Sequence, residues 1–287
     1  MKIAIFGAGQ LGRYIYENGF KEHDKSIYSH EDLDLMNVDK IGGLINKYDA
    51  FINCAGYTNV DEAENVSSII DLLNANVFGP SNIAMQLIMK PNKKFIHISS
   101  AFVYGSNDPN YAPLTETSEK TPLNRYAKSK NDADALLMNL KSMTNNFLIL
   151  CPAWLFGPNS DKNFITKIMN KMKETKELNV VTDERGSLTS VDLMMKVMEA
   201  FIDGKLPGNF YNVANEGYAS RWDVAEFVRK ELGYEDVVIN KITSENFMRR
   251  AKIQMNSCLD CSLLKNALPD FEIPTWEDEV RRLMLSK

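Results

Sequence analysis

Tyr126 and Lys130 stand four residues apart in NRYAKSKN (124–131), and side chains at i and i+4 share one helix face. A tyrosine with its ordinary pKa near ~10 is a poor acid–base group at neutral pH. A nearby ammonium favours the phenolate and brings the group toward the working pH. Upstream, KFIHISS (94–100) reads as a strand ending in Ser99 and Ser100. That end lies at the carboxyl edge of a sheet, where ligands bind in open α/β folds. A serine hydroxyl there can hold a reacting oxygen beside the tyrosine. Ser100, Tyr126 and Lys130 together suit proton transfer at an oxygen while a bound dinucleotide exchanges hydride with the carbon. A Tyr–Lys pair also arises by chance on many helices, so its weight depends on what precedes it.

Strand KIAIF (2–6) runs directly into Gly7-Ala8-Gly9-Gln10-Leu11-Gly12, and a helical pattern follows. In G-x-G-x-x-G the first glycine permits the tight turn, the second lets the backbone approach a pyrophosphate, and the third lets helix pack closely on strand. The helix N-terminus then offers free N–H groups to phosphate. The second strand, KSIYS (25–29), carries no acid at its end. Ser29 and His30 stand there instead; they either hydrogen-bond a 2′-phosphate, which leans the cofactor toward NADP(H) over NAD(H), or are ordinary turn residues. Asp34 comes too late in the chain for the ribose role.

Short apolar runs alternate with helical patterns along this half of the chain. Strands are expected at 2–6, 25–29, 50–55, 94–100 and 146–153, and helices at 10–19, 69–89 and 124–140. The alternation predicts βαβ units in an α/β, Rossmann-type doubly wound parallel sheet with both faces covered. Residues 1–152 read as the dinucleotide-binding domain and 153–287 mainly as a smaller C-terminal substrate-binding lobe, with NFYNVAN (209–215) returning to the sheet. A chain of 287 residues fits one large domain with a smaller lobe. A net charge of -5 gives no electrostatic case for nucleic acid or an anionic membrane. No apolar run is long enough to cross a bilayer. MKIAIFGAG lacks the long core and cleavage site of a signal peptide, which places the protein in the cytoplasm. Cys54 and Cys151 sit in apolar runs as reduced core residues. Cys258 and Cys261 form a lone CxxC without a second pair or clustered histidines, so no metal site is read. No stripe marks an oligomer face, and a homodimer stays open.

The runs ISSAFVYG (98–105), PLTET (113–117) and PLNRYAKSK (122–130) resemble the extended short-chain dehydrogenase/reductase family that acts on nucleotide sugars. GQLG (9–12), INCAGYTNVDEAE (52–64), NANVFGPSNIA (74–84), AWLFG (153–157) and VVTDERGSLTSVDLM (180–194) resemble its dTDP-4-dehydrorhamnose reductase branch. The resemblance implies NAD(P)H-dependent reduction of a 4-keto-6-deoxy sugar nucleotide that feeds a surface polysaccharide. It implies that Ser100 holds the sugar carbonyl, Tyr126 supplies the proton, and Lys130 tunes Tyr126 and binds the nicotinamide ribose. It further implies that Gly7, Gly9 and Gly12, with Gln10 and Leu11 between them, cradle the pyrophosphate, and that Asp34 and Leu35 flank the adenine. Asn53, Cys54, Ala55, Gly56 and Tyr57, with Asn76, would line the cofactor channel. Val60, Ala101, Phe102 and Trp154 would contact substrate. Two other activities share the resemblance: a nucleotide-sugar 4-epimerase with tightly held NAD, and a non-catalytic cofactor-binding regulatory subunit.

The chain departs from that branch in four places. Its glycine loop is one residue shorter than G-x-x-G-x-x-G. Ala101-Phe102 replaces Asp-Tyr, Cys151-Pro152 replaces Arg-Thr, and Ile253-Gln254 replaces Arg-Pro. These changes remove polar and cationic groups from positions that would touch substrate, so the expectation is retained chemistry with an altered substrate. Arg185, Arg249, Arg250 and Lys252 are candidates to replace the lost charge.

Overall fold

Runs of β-branched and aromatic residues buried on both faces set the central sheet. The computed structural model describes residues 1–141, 144, 146–158, 160–161 and 163–285. In chain order the first half comprises β1 (Lys2–Phe6), α1 (Gln10–Asn18), β2 (Asp24–Tyr28), α2 (Val38–Ile45), β3 (Ala50–Asn53), α3 (Ile69–Leu73), α4 (Gly79–Leu87), β4 (Lys94–Ile98), α5 (Arg125–Lys141) and β5 (Phe147–Pro152). The helix expected over 69–89 is continuous but passes through a π-helical turn, Asn74–Phe78, between α3 and α4.

The second half comprises β6 (Leu155–Phe156), α6 (Phe164–Glu174), β7 (Glu177–Val181), β8 (Arg185–Gly186), β9 (Thr189–Ser190), α7 (Val191–Ile202), β10 (Phe210–Val213), β11 (Ala219–Ser220), α8 (Arg221–Glu231), β12 (Val238–Ile242), β13 (Asn256–Ser257), α9 (Ser262–Ala267) and α10 (Trp276–Leu285). The main sheet has the order β10-β5-β4-β3-β1-β2, and its pairs are all parallel. The order reverses between β1 and β3, so a crevice opens at their carboxyl ends, where doubly wound folds bind ligands.

Successive residues of β1 serve opposite faces, as strand geometry requires. Ile3 and Ile5 join one core with Ile15, Ile52, Leu148 and Leu150, while Ala4 and Phe6 join the other with Phe51, Ile83, Phe95 and Leu137. The first core is closed by α7, whose Met194, Val197, Met198 and Phe201 are buried there. The stretch 191–213 therefore returns to the main sheet, α7 as a cover and β10 as an edge strand beside β5, rather than lying in the smaller lobe. What remains after β5 gathers around a third core. There Phe156, Ile168 and Met172 meet Val180, Val224, Val228 and Trp276, with three short sheets at its margin. No helix among the described residues is long and apolar enough to cross a membrane.

Candidate active site

The glycine loop has three different reasons for its glycines. Gly7 has φ +96°, and a Cβ there would lie 2.5 Å from the Ala55 nitrogen, where the chain leaves β3. A Cβ on Gly12 would lie 1.9 Å from the Gly7 carbonyl oxygen, so the start of α1 can sit on the turn only without a side chain. A Cβ on Gly9 would meet no heavy atom of the described residues within 4 Å. Gly9 is also the N-cap of α1 and gives it no side-chain cap, which leaves first-turn N–H groups facing open space. The cradle fits a pyrophosphate despite its shortened loop. Between the glycines, Gln10 turns away and donates from Nε2 to the Gly157 carbonyl at 2.9 Å. Leu11 is buried in the core.

At the end of β2 the Ser29 side chain is already engaged. Its N–H and its hydroxyl both donate to Asp32 Oδ2, at 2.8 and 2.7 Å. An acid thus lies at this strand end after all; it comes from the turn and folds back, which a reading of the strand's own residues passes over. His30 is exposed. Asp34 closes a turn by accepting from the Met36 N–H at 2.8 Å. Leu35 packs on α4 against Gly79, and its carbonyl accepts from Asn82.

Ser100 stands two residues past β4 and caps a short 3₁₀ helix, Ala101–Tyr104, accepting from the Phe102 N–H at 3.3 Å. Its hydroxyl also hydrogen-bonds Tyr126. Tyr126, 8% exposed, packs with Ala63 and Leu72, and Tyr57, Val60 and Phe102 lie against that cluster. The Phe102 ring stands edge-on to Tyr126 with centroids 5.9 Å apart. Tyr126 and two of the residues expected to contact substrate, Val60 and Phe102, therefore meet in one apolar cluster.

The electrostatics run opposite to the expectation from Lys130 alone. Burial pushes the Tyr126 hydroxyl up to about 12, and the Ser100 hydrogen bond offsets only part of this. Lys130 is 4% exposed, and burial brings its amine down to about 8, against the pull of Asp134 and Cys54. Its Nζ donates to the Ile98 carbonyl at 2.8 Å and lies 3.5 Å from where a Gly56 Cβ would be. A Gly56 Cβ would be in ordinary contact with that amine and would press on Asn76 Oδ1 at 3.1 Å. The Cys54 thiol, near the Gly12 turn, is pushed up to about 12 by burial. Ala55 has its N–H held by Asn53 Oδ1 at 3.2 Å.

Asn76 lies in the π-helical turn, fully buried, and its side chain serves the protein. It accepts from the Tyr57 N–H at 2.8 Å and donates to the Tyr57 carbonyl at 3.1 Å and to Ser129 Oγ at 2.9 Å. It therefore fixes the Gly56–Tyr57 loop to α5 between Tyr126 and Lys130. One turn beyond Lys130, Asp134 is also fully buried. It accepts from Ser99 Oγ at 2.5 Å and lies 3.7 Å from Lys120 Nζ, while Oδ1 has no partner among the described residues. Burial lifts this carboxyl to about 6. The signal for Asp134 was present in the sequence as a third residue in the i, i+4 column of Tyr126 and Lys130.

Trp154 belongs to the smaller lobe. It adopts φ +39° and lies 3.6 Å beneath the Arg221 guanidinium. Buried Glu184 pairs with Arg249 at 2.7 Å and with Arg221 at 3.6 Å. Arg250 reaches the other part: its side chain donates to Asn65, and the N–H groups of Arg250 and Ala251 both donate to Asp61 Oδ1 at 3.0 Å. Arg185 and Lys252 are exposed.

A doubly wound sheet with a glycine cradle at its switch point, and Ser, Tyr and Lys at the adjoining strand end, defines an NAD(P)-dependent oxidoreductase of the extended short-chain dehydrogenase/reductase type. The chain belongs to the family described as RmlD substrate binding domain, whose model matches residues 1–286. It is similar to a dTDP-4-dehydrorhamnose reductase of Aggregatibacter actinomycetemcomitans, 29% identical over an alignment of 284 positions that covers 93% of this chain and 92% of the relative. Among solved structures it is similar to a dTDP-4-dehydrorhamnose reductase of Clostridium acetobutylicum, with 29% identity, a TM-score of 0.89, and coverage of 100% of this chain and 99% of that one. Another, from Bacillus anthracis and in complex with NADP, has 26% identity, a TM-score of 0.89 and the same coverage.

Proposed function

We propose that this chain is an NAD(P)H-dependent reductase of a nucleotide-linked 4-keto-6-deoxy sugar, like the dTDP-4-dehydrorhamnose reductases it resembles. The observation that carries the reading is the meeting of Tyr126 with Ser100 inside the apolar cluster of Tyr57, Val60 and Phe102. When bound in the glycine cradle, the dinucleotide supplies the hydride for C4. Tyr126 begins the reaction as a fully protonated phenol, because burial holds it near about 12. That is the state a proton donor to a developing C4 alkoxide needs. Ser100 hydrogen-bonds the same oxygen and holds it in line. Lys130, beside Gly56, binds the nicotinamide ribose and offsets the phenolate that Tyr126 becomes. The apolar wall keeps water from the reacting oxygen and suits the methyl at C6. Arg249 and Arg221 outnumber Glu184 beside Trp154, a net positive charge that attracts the diphosphate of a sugar nucleotide.

The test is nicotinamide absorbance against time with NADPH or NADH and a panel of 4-keto-6-deoxy nucleotide sugars. Consumption with one member is the expected result. Tyr126→Phe should lose turnover by about 10²- to 10⁴-fold, the usual worth of a general acid, while dinucleotide affinity stays unchanged. Full activity in that variant removes Tyr126 as donor. Bound dinucleotide without consumption favours the epimerase or the regulatory subunit.

A further inference from the structure

The turn that carries Ser100 is short and needs support. It opens with a bond from the Val103 N–H to the Ser100 carbonyl at 3.1 Å. It ends at Gly105, φ +59°, where a Cβ would lie 1.8 Å from the Thr121 carbonyl oxygen. A side chain from far along the chain spans it. Gln254 is 2% exposed. Its Nε2 donates to the Ala101 carbonyl at 3.0 Å and to Ser257 Oγ at 2.7 Å, and its Oε1 accepts from the Gly105 N–H at 3.0 Å. One amide thus holds the first carbonyl of the turn and the N–H that follows its last residue. The neighbouring backbone runs alongside, with the Asn256 N–H on the Ser106 carbonyl at 3.0 Å.

Both groups that flank Tyr126 ride on this turn: the Ser100 hydroxyl and the Phe102 ring. Residues 101 and 254 are 153 apart in the chain and meet here in space. We propose that Gln254 is a positioning residue for the reaction, holding Ser100 and Phe102 in register with Tyr126. The proposal rests on the reading of Ser100 and Tyr126 as the proton-handling pair.

Gln254→Met keeps the shape of the side chain and removes its three hydrogen bonds. Gln254→Glu keeps the acceptor for Gly105 and loses the donors, so it stands in if the first variant does not fold. Ser257→Ala removes only the bond outside the turn and should behave as wild type. Hydrogen–deuterium exchange on the full chain should show at least tenfold faster uptake over 100–106 in Gln254→Met, with 7–15 and 122–135 unchanged. With NADPH and the 4-keto-6-deoxy nucleotide sugar, kcat should fall at least tenfold while KM for NADPH holds. The pH profile of kcat should shift in the same direction as in Ser100→Ala. Unchanged exchange over 100–106 overturns the proposal, as does unchanged kcat measured well below the melting temperature. An active Tyr126→Phe overturns the catalytic reading instead, and an inactive Tyr126→Phe beside a fully active Gln254→Met overturns this inference alone. If the wild-type chain turns over no panel member, the exchange result decides.

Discussion

Lys130 and Asp134 are the residues of the site shifted toward neutral pH, the lysine to about 8 and the carboxyl to about 6. Burial has brought the Lys130 amine down, so it is charged below about 8 and loses its proton as pH rises through that value. If the charged amine binds the ribose and supports the Tyr126 phenolate, kcat/KM should fall above about pH 8, since that parameter reports groups of the free enzyme. Asp134 opposes the shift by favouring the ammonium. Asp134→Asn removes that support while leaving an oxygen to accept from Ser99. The falling limb should therefore move to lower pH in the variant. Profiles of kcat/KM for wild type and Asp134→Asn check this, and a limb that stays in place separates Asp134 from the working lysine.

The glycine loop and the helix behind it make an element whose parts separate by substitution. Gly7→Ala places a side chain at φ +96° and against the backbone of the β3 exit. The left-handed conformation alone costs about 1–2 kcal/mol, and the contact adds to it, so the thermal midpoint should fall. Gly9→Ala meets no protein atom of the described residues. Its midpoint should stay, while its affinity for dinucleotide drops by about tenfold or more, ~1.4 kcal/mol, because the methyl occupies the place of the pyrophosphate. Thermal melts and dinucleotide titrations on both variants check the contrast. Equal affinity of Gly9→Ala and wild type would falsify the pyrophosphate assignment. The π-helical turn is the other element with a site role: it carries Asn76, whose amide joins the Gly56–Tyr57 loop to α5, and such turns recur at functional sites.

At the scale of the whole molecule, contacts from the first part of the chain to residues beyond β5 join the main sheet to the smaller lobe. Asp61, just after Val60, receives the N–H groups of Arg250 and Ala251. Gln10 reaches Gly157 from the other side. Asp61 sits by the pocket wall and away from the glycine cradle, so Asp61→Ala should loosen the substrate side alone. KM for the sugar nucleotide should rise by at least about tenfold, since a single hydrogen bond to a carboxylate is worth about that much or more, with dinucleotide affinity unchanged. Steady-state kinetics and a dinucleotide titration check this; equal weakening of both would place the contact in general stability.

The order of strands and helices, the glycine loop and the Ser–Tyr–Lys set were legible in the sequence because each depends on neighbours within a few residues: short continuous apolar runs, glycine spacing, and an i, i+4 column. Even Asp32 was within reach, three residues from the Ser29 it holds. The sequence by itself thus determined the doubly wound sheet, the dinucleotide end and the helix that carries Tyr126 and Lys130. Only the tertiary structure decided that α7 covers the main sheet, that Asn76 and Gln10 serve the protein, and that Gln254 spans the turn of Ser100. Those are pairings across tens to hundreds of residues, which no local period encodes. It also decided the direction of the Tyr126 shift, because the cost of burying a charge depends on everything packed around it and here exceeds the opposing Ser100 hydrogen bond.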